Sequence, residues 1–477
     1  MVLFLSIAGG IIALRILTLL VSNTDLGPDE SQYWFWSRTF EFGYFSKPPL
    51  IAWAIAATTS IFGNDEWAVR LSAPLFHLGA AVFIYLSARS LFEEQSAFWA
   101  GLLWLVLPGV TLSSFVIATD APLLFFWSAS LFAFLQIANR IENGLPIFLL
   151  LGAGLGLGLM SKYAMIYFLL AGLLTVVFEK SIRSEFATWK TAVSLLVAMA
   201  LVFPNVIWNA NNNFQTVLHT ADNANWGAEL LQIDALALFL GSQFAVAGFI
   251  LVVFILMLAN SGVRRQMLGS PYMRALFIFA LTPLLFVSGQ AFISRAHANW
   301  AASAYPAIVI LASWALVEMR RVGLLKSIFI AHLFIFFSAS VALSNLSIAD
   351  RLGLSEAVRQ IRGWDEQAAI IGMLGAESDA IVIDDRSLMG AMLYYQREAA
   401  TEIVAIDVNS NTSNHFEAFK AFDPERHKNV VFVTTRNDAA HVDYRFRKIN
   451  LIGPVTVSTG KSSRTYHAFE LAEYFGK

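Results

Sequence analysis

Apolar runs about as long as a membrane-crossing helix recur along the first three quarters of this chain. A helix needs roughly 20 apolar residues to cross a bilayer. The pattern predicts about eleven spans, near residues 3–22, 68–88, 97–117, 121–139, 146–160, 164–178, 191–208, 235–259, 275–292, 300–317 and 327–346. A shorter apolar stretch at 50–62 predicts an interfacial or re-entrant helix, and counting such segments raises the total to as many as thirteen. The sequence therefore predicts an α-helical polytopic membrane domain over residues 1–347, with a first outer loop at 23–67.

The remaining segment, residues 348–477, has shorter apolar runs and more charge. Its strand-length runs fall at Ala380–Ile383, Ile403–Ile406 and Val430–Val433, and a helical pattern lies between them at Leu388–Tyr395. Strands that alternate with helices are typical of an α/β domain. The segment contains no glycine-rich phosphate-binding motif. We therefore expect a small C-terminal α/β domain outside the membrane, acting as a lid or as a stabilising domain without chemistry of its own.

The composition agrees with a membrane protein. Of the 477 residues, 57% are hydrophobic and only 14% are charged, whereas about a quarter of the residues in a typical soluble domain are charged. The formal net charge of −2 and the lack of a basic stripe argue against a nucleic-acid partner. Cysteine is absent, which is compatible with an oxidising compartment outside the cytoplasm.

Basic residues indicate how the spans are oriented. They lie in alternate short loops, which the positive-inside rule places in the cytoplasm. The residues concerned are Arg89, Arg140, Lys180, Arg183, Lys190, Arg264, Arg265, Arg274, Arg320, Arg321 and Lys326. Everything after about residue 347 is then predicted to face outward, together with the remaining loops. These outer loops lie near residues 23–67, 118–120, 161–163, 209–234 and 293–299.

Two adjacent acids open a helical segment in the first outer loop. Asp29 and Glu30 follow Pro28, and acids after a proline favour a helix start because they stabilise the positive end of the helix dipole. That structural interpretation explains one acid but not both. The aromatic residues that follow, beginning with Tyr33, suit either an interfacial belt or stacking on a sugar. We therefore take Asp29 and Glu30 as candidate catalytic acids and Tyr33 as a candidate sugar contact.

Other outer loops add cations and one further acid. Lys47 precedes two prolines, Asp120 occupies a very short loop, and Lys162 ends a glycine-spaced run. Snorkelling would explain Lys47, and helix capping would explain Asp120, without any chemistry. A further outer loop holds a basic pair beside an amide and an indole, namely Arg295, His297, Asn299 and Trp300. A lone histidine is more often structural than catalytic, but this combination also suits ligand binding.

These polar residues are predicted to converge on one face of a helical bundle. Charges at a membrane are costly and are usually paired or functional. Acids can act as a general base or hold a divalent cation, and cations can neutralise a phosphate leaving group. The combination favours a transferase whose lipid-phosphate donor arrives from the bilayer.

The order of these motifs resembles that of the GT-C glycosyltransferases. The resemblance rests on Asp29-Glu30, the Lys-Pro-Pro segment at 47–49, the stretch Phe62–Leu71, Thr119-Asp120, the Ser161-Lys162 turn and Asn299-Trp300. It is nearest to the branch with the protein O-mannosyltransferases, the lipid A aminoarabinose transferase and the rhizobial core galacturonosyltransferases, and it covers roughly residues 1–345. The C-terminal segment also resembles the small periplasmic domain of bacterial members.

The resemblance implies a multi-pass enzyme of the bacterial inner membrane with its active site and C-terminal domain on the periplasmic side. It would move a sugar, with inversion, from a polyprenyl-phosphate carrier to a lipid A or lipopolysaccharide-type acceptor. A protein or another cell-envelope glycan is the alternative acceptor. A transporter or flippase of lipid-linked sugars is the alternative of a different class, although the sequence shows no inverted repeats with polar residues at mid-membrane.

The resemblance also implies roles for individual residues of this sequence. Asp29 matches the catalytic or acceptor-positioning acid, and Asp120 matches the second acid of the cavity. Some members bind a divalent metal near such acids, so Asp29 and Asp120 are also candidate metal ligands, and metal dependence stays open. The donor phosphate is expected near Lys47, Lys162, Arg295 and His297. The acceptor or sugar is expected near Tyr33, Asn299 and Trp300.

Overall fold

A computed structural model of the protein describes residues 1–224, 231–408 and 412–476, so that residues 225–230 of the predicted outer loop 209–234 lie outside it. Its amino-terminal part is a bundle of helices. These are α1 (Val2–Val21), α2 (Pro28–Trp36), α3 (Leu50–Phe62), α4 (Glu66–Arg70), α5 (Ser72–Leu91), α6 (Glu94–Val106), α7 (Pro108–Ser113), α8 (Asp120–Ala138), α9 (Leu145–Ser161), α10 (Ile166–Phe178), α11 (Lys180–Phe186), α12 (Trp189–Asn211), α13 (Gln215–Ala224), α14 (Ile233–Ala247), α15 (Phe249–Ala259), α16 (Ser261–Gly269), α17 (Pro271–Ile293), α18 (Tyr305–Glu318) and α19 (Val322–Ser344). Short 3₁₀ helices precede α10 (Tyr163–Met165) and α18 (Ala298–Ala304).

Each of the eleven predicted apolar runs is helical over most of its length. Within the described part of the chain, seven helices are long and apolar enough to cross a membrane, and two bent pairs raise that number to nine. The difference from eleven arises because α6 and α9 have only 13 and 17 residues. The short helix predicted at 50–62 is α3. The predicted fold class, an α-helical polytopic membrane protein, is confirmed.

The predicted run at 97–117 is broken at Pro108, between α6 and α7. Proline lacks the amide proton that would continue the hydrogen bonding of the helix, so the last carbonyls of α6 need another donor. The buried Arg15 side chain of α1 donates to the Leu105 carbonyl, and its guanidinium lies 5.6 Å from the centre of the Phe336 ring. A cation at the carboxyl end of a helix is also favourable for the helix dipole. Arg15 therefore supplies a hydrogen-bond donor to the broken helix inside the bundle.

Ion pairs join three of the basic loops that were predicted to be cytoplasmic, those near residues 140, 180 and 274. Arg274 pairs with Glu179 across two of these loops, with nitrogen and oxygen 2.6 Å apart. Arg140 pairs with Glu185 in the same way, also at 2.6 Å. These contacts bring together loops that are far apart in sequence, as expected if they share one side of a membrane.

A five-stranded sheet forms the core of the C-terminal part. The strands are β1 (Ala380–Ile383), β2 (Glu402–Ala405), β3 (Asn429–Thr434), β4 (Phe446–Ser458) and β5 (Ser463–Tyr474). Their order is β2-β1-β3-β5-β4, in which β2, β1 and β3 are parallel and β5 is antiparallel to both of its neighbours. The helices are α20 (Leu346–Arg351), α21 (Ser355–Val358), α22 (Trp364–Leu374), α23 (Arg386–Tyr395) and α24 (His415–Phe419), with 3₁₀ helices at Arg359–Ile361 and Asp443–Arg445.

The three predicted strands and the helix between them are confirmed to within two residues, which gives the expected small α/β sheet. The hairpin of β4 and β5 was not predicted. β4 is an edge strand with a register irregularity between Leu451 and Gly453, directly before Pro454. Proline and glycine are tolerated at such an edge, but they hide the alternating pattern that would reveal the strand. The domain boundary between residues 347 and 348 stays a prediction.

The first outer loop is held against the C-terminal domain by several hydrogen bonds. The Trp364 amide donates to Asp25 Oδ2 at 2.6 Å, and the Leu26 amide donates to the Tyr395 hydroxyl at 2.8 Å. Burial raises the pKa of Asp25 to about 7, and the charge of Asp365 raises it further. The loop that carries the two adjacent acids is therefore packed between two parts of the protein.

Candidate active site

A polar cavity of about 590 Å³ lies between the bundle and the C-terminal domain. Eight of the ten site residues predicted from the sequence line it, and the two that do not are Glu30 and Arg295. The functional roles of all ten residues stay predictions. The main polar and aromatic side chains of its wall are Asp29, Tyr33, Lys47, Asp120, Lys162, His219, His297, Asn299, Trp300, Arg386 and His415.

Asp120 joins three parts of the bundle. It is the first residue of α8, and only 6% of it is exposed. Lys162, which follows α9, donates to Asp120 Oδ1 at 2.8 Å, and Asn299 donates to Asp120 Oδ2 at 2.9 Å. Both carboxylate oxygens therefore have a partner, so the position of Asp120 in the cavity wall is well defined.

Asp29 faces the cavity from the first turn of α2. Its partner is Arg386, whose Nη2 donates to Asp29 Oδ1 at 2.8 Å. Asp29 retains 61% of its side-chain surface and Arg386 retains 41%, so this carboxylate is open to a ligand. Arg386 could not be identified from the sequence, because nothing in the C-terminal segment indicates that the start of one of its helices reaches α2.

Glu30 points away from the cavity although it is adjacent to Asp29. It forms a buried two-pronged ion pair with Arg70, with nitrogen–oxygen distances of 2.8 and 2.7 Å. The amides of Gly27 and Ile117 also donate to it, each at 2.9 Å. The Glu30 carboxylate thus accepts hydrogen bonds at the start of α2 and connects α2 to α4. This is the structural, helix-start role that the sequence offered for one of the two adjacent acids.

Lys47 is a half-buried cation without an ion-pair partner among the described residues. Burial lowers the pKa of Lys47 below its usual value, and the nearby charge of Lys162 lowers it further. Two prolines follow it and stiffen the backbone at this point. An anion entering the cavity would relieve the repulsion between these two cations, and the predicted role of Lys47 as a phosphate ligand stays a prediction.

The loop before α18 contributes only part of the predicted set to the cavity. His297 and Trp300 line it, and their rings meet edge to face with centroids 5.3 Å apart. The Arg295 side chain is exposed and is not part of the lining. The contact of Arg295 with the donor phosphate stays a prediction, and the position of its side chain outside the cavity lining does not favour it.

Three ring-bearing residues of the wall have shifted pKa values. Burial raises the pKa of the Tyr33 hydroxyl well above its usual value, and the charge of Asp29 raises it further. Burial lowers the pKa of His219, helped by the charge of Lys47, and burial alone lowers that of His415 to about 3. His219 and His415 were not singled out from the sequence, because a lone histidine gives no local signal of a functional site.

The predicted metal ligands do not form a metal site in this geometry. Each of Asp29 and Asp120 is paired with a cation rather than with a second carboxylate. In the described ranges, no three His, Asp or Glu side chains come together in a way that could hold a metal ion. The donor set does not fit a divalent cation, and we assign no step to one.

Two apolar cavities adjoin the polar cavity. One of about 400 Å³ shares Lys47 and Lys162 with it and extends to Ile166, a residue of α10 that is 58% exposed. The other, of about 430 Å³, shares Asp120 with it and extends to Leu112, which is also 58% exposed. Each apolar cavity therefore extends from the polar site to an exposed apolar residue on the surface of the bundle.

Comparisons with known proteins agree with this architecture. Residues 46–208 match the model of the dolichyl-phosphate-mannose-protein mannosyltransferase family. The chain is 31% identical over 431 residues to the lipid A galacturonosyltransferase RgtD of Rhizobium johnstonii, covering 88% of each protein. It is 23% identical to the lipopolysaccharide core galacturonosyltransferase RgtA of the same organism, over 65% of this chain and 63% of that protein. The crystal structure of ArnT from Cupriavidus metallidurans bound to undecaprenyl phosphate is similar over 98% of this chain and 97% of that chain, with a TM-score of 0.67 and 18% identity. This last similarity confirms the expected GT-C-like fold.

Proposed function

The chain belongs to the family of GT-C glycosyltransferases that contains the rhizobial lipid A galacturonosyltransferase, and we propose that it moves a sugar from a polyprenyl-phosphate carrier to a lipid A or lipopolysaccharide-type acceptor. One observation supports a lipid-phosphate donor. Lys47, which has no carboxylate partner among the described residues, lies where the polar cavity meets an apolar one. A phosphate with a long hydrocarbon chain matches both properties of that position.

The donor fits the side of the site that holds the two lysines. Its phosphate would lie against Lys47 and Lys162, since charge-assisted hydrogen bonds to phosphate are strong. Its hydrocarbon chain would leave through the apolar cavity that reaches Ile166. The acceptor would then approach from the side of Asp120 and Leu112, where the second apolar cavity can take an acyl chain and contains no lysine or arginine in its lining.

The reaction is a single displacement at the anomeric carbon. The acceptor oxygen forms a bond to this carbon while the bond from the carbon to the phosphate oxygen breaks. The released phosphate carries the negative charge, which the lysines stabilise as it develops. An acceptor hydroxyl loses its proton to the Asp29 carboxylate, which is open to the cavity. Attack from the side opposite the leaving group inverts the anomeric configuration.

The test is glycosyl transfer by the purified protein in detergent, with polyprenyl-phosphate sugars as donors and lipid A or core lipopolysaccharide as acceptor. The expected result is an acceptor whose mass rises by one sugar residue. Transfer only to a protein or to another envelope glycan would change the acceptor but not the reaction. If the protein instead moves the intact lipid-linked sugar across proteoliposomes without transferring it, it is a transporter.

Replacing Lys47 by alanine should weaken use of the donor. A charge-assisted contact to phosphate is worth roughly 1.5–3 kcal/mol, so kcat/KM for the donor should fall about ten- to a hundredfold. The measurement is initial transfer rate against donor concentration. Arg295→Ala is the matched control, because Arg295 is an exposed cation outside the cavity lining. An equal loss in the control would restore Arg295 as a phosphate ligand and contradict the special role of Lys47.

We further propose that the cavity and the C-terminal domain face the periplasm of the inner membrane. The proposal is supported by the ion pairs that join three of the basic loops, since positively charged loops are retained in the cytoplasm. Alkaline phosphatase, which is active only outside the cytoplasm, should be active when fused after Lys477. A full-length fusion without phosphatase activity, in cells where a fusion after Arg89 is active, would reverse the orientation.

A further inference from the structure

The side chain of Arg386, the first residue of α23, leaves the C-terminal domain and reaches α2 in the first outer loop. Its Nη2 donates to Asp29 Oδ1 at 2.8 Å, and its Nη1 donates to Gln32 Oε1 at 2.7 Å. Residues three apart on a helix lie on the same face. One planar guanidinium therefore holds two neighbouring side chains of α2 through two nitrogens at a fixed spacing, which the single nitrogen of a lysine ammonium does not provide.

The helix α23 is closely packed against α2. A Cβ atom on Gly390 would lie 2.8 Å from Ser31 Oγ, so the absence of a side chain allows the two helices to approach. Farther along α23 the Tyr394 ring meets the Trp34 ring edge to face, with centroids 4.9 Å apart. The backbones that carry the two ends of the ion pair are therefore fixed relative to each other.

The Asp29 carboxylate needs such a restraint because it is largely exposed. Buried Asp120 receives hydrogen bonds on both of its oxygens, whereas Arg386 is the only ion-pair partner of Asp29 in the part of the chain that the structure describes. An ion pair between groups this exposed contributes little to stability. Its effect is therefore on the orientation of the carboxylate that faces the cavity.

We propose that Arg386 is a positioning residue, which holds the Asp29 carboxylate in the orientation that accepts the proton of the acceptor. This inference rests on the proposed glycosyl transfer. It makes the C-terminal domain a part of the active site, because the domain supplies the group that orients the base. Asn414 and His415 of the same domain also line the cavity, so the domain forms one of its walls.

Replacing Arg386 by glutamine should lower turnover and leave binding of the donor intact. Misplacing a reacting group by about 1 Å can cost on the order of a hundredfold in rate, so kcat should fall about ten- to a hundredfold. KM for the polyprenyl-phosphate sugar should change by less than about threefold, because the phosphate site is formed by other residues. Arg386→Lys should recover only part of the loss, since an ammonium lacks the fixed planar pair of donors with which the guanidinium holds Asp29 and Gln32 together.

A double variant that changes both Asp29 and Arg386 distinguishes a positioning role of Arg386 from a general structural role. In Asp29→Asn protein, the further change Arg386→Gln should lower kcat by less than about twofold, because residues that act as a unit are not additive. The matched control is Arg426→Gln, which removes a cation of the same domain from an exposed pair with Glu402. The control should keep the kinetics and melting temperature of the unmodified protein.

Several outcomes would overturn the inference. An Arg386→Gln protein with unchanged kcat would refute it, and so would a loss that multiplies in full with that of Asp29→Asn. A rise in donor KM at constant kcat would instead make Arg386 a donor ligand. If the unmodified protein transfers no sugar, the proposed function itself fails. Activity of the unmodified protein with normal activity of Arg386→Gln would overturn only the inference.

Discussion

Asp29→Asn protein is expected to fold normally and to lose at least about a hundredfold in turnover, the usual scale for removal of a general base. Asparagine has nearly the same size and keeps hydrogen-bonding capacity at the start of α2, but it cannot accept a proton. The lost ion pair with Arg386 is largely exposed, so it should cost at most about 1 kcal/mol of stability. Glycosyl transfer by monodisperse protein and its melting temperature measure the two effects separately.

The matched control for this variant is Glu41→Gln. Glu41 is an exposed carboxylate of the same outer loop that accepts a hydrogen bond from Trp208 and does not line the cavity. Its replacement should leave turnover within about twofold, because it removes a charge without touching the site. Near-normal turnover of Asp29→Asn would remove Asp29 from the mechanism and make Asp120 the candidate base. A fall in both variants would indicate that the total charge of the loop matters rather than one carboxylate.

Local patterns in the sequence predicted most of the fold. Apolar run length is enough to place the long helices of the bundle, and short apolar runs are enough to place β1, β2 and β3. Where a helix breaks, as at Pro108, the sequence shows the proline but not the group that hydrogen-bonds the carbonyls left without a partner. The donor that satisfies the broken helix is Arg15, about ninety residues earlier in the chain. Such long-range contacts leave no periodic pattern, so they cannot be deduced from a single sequence.

The candidate site was predictable in its members but not in their pairing. The charge pattern was enough to identify which loops lie on the outer side. Eight of the ten candidate residues chosen from those loops line one cavity in the structure. The two adjacent acids could not be separated, because their partners lie 357 and 40 residues away. Arg386 pairs with Asp29 at the cavity, whereas Arg70 pairs with Glu30 inside the protein. Adjacent helix positions point about 100° apart, so neighbouring acids on a short helix are expected to meet different surroundings.

Glu30→Gln protein should be strongly destabilised, although the change is as small as the one in Asp29→Asn. Removing one partner of a buried ion pair typically costs about 3–5 kcal/mol, because the other charge stays buried without compensation. Here the remaining charge is Arg70, which is 1% exposed. Arg70 also donates to the backbone carbonyl of Asp25 and to the Thr24 hydroxyl, and these contacts offset only part of the loss.

The expected measurement is a melting temperature well below that of the unmodified protein, together with a low yield of monodisperse protein in detergent. Arg70→Gln should show the same defect, because it leaves the Glu30 carboxylate unpaired among buried groups. The neighbouring variant Asp29→Asn is the natural control, since it should melt normally and lack turnover. If instead Glu30→Gln melts normally and still lacks turnover, Glu30 is the catalytic acid that the sequence alone suggested. The opposite outcomes expected for two adjacent carboxylates therefore test the division between a structural acid and a reacting acid directly.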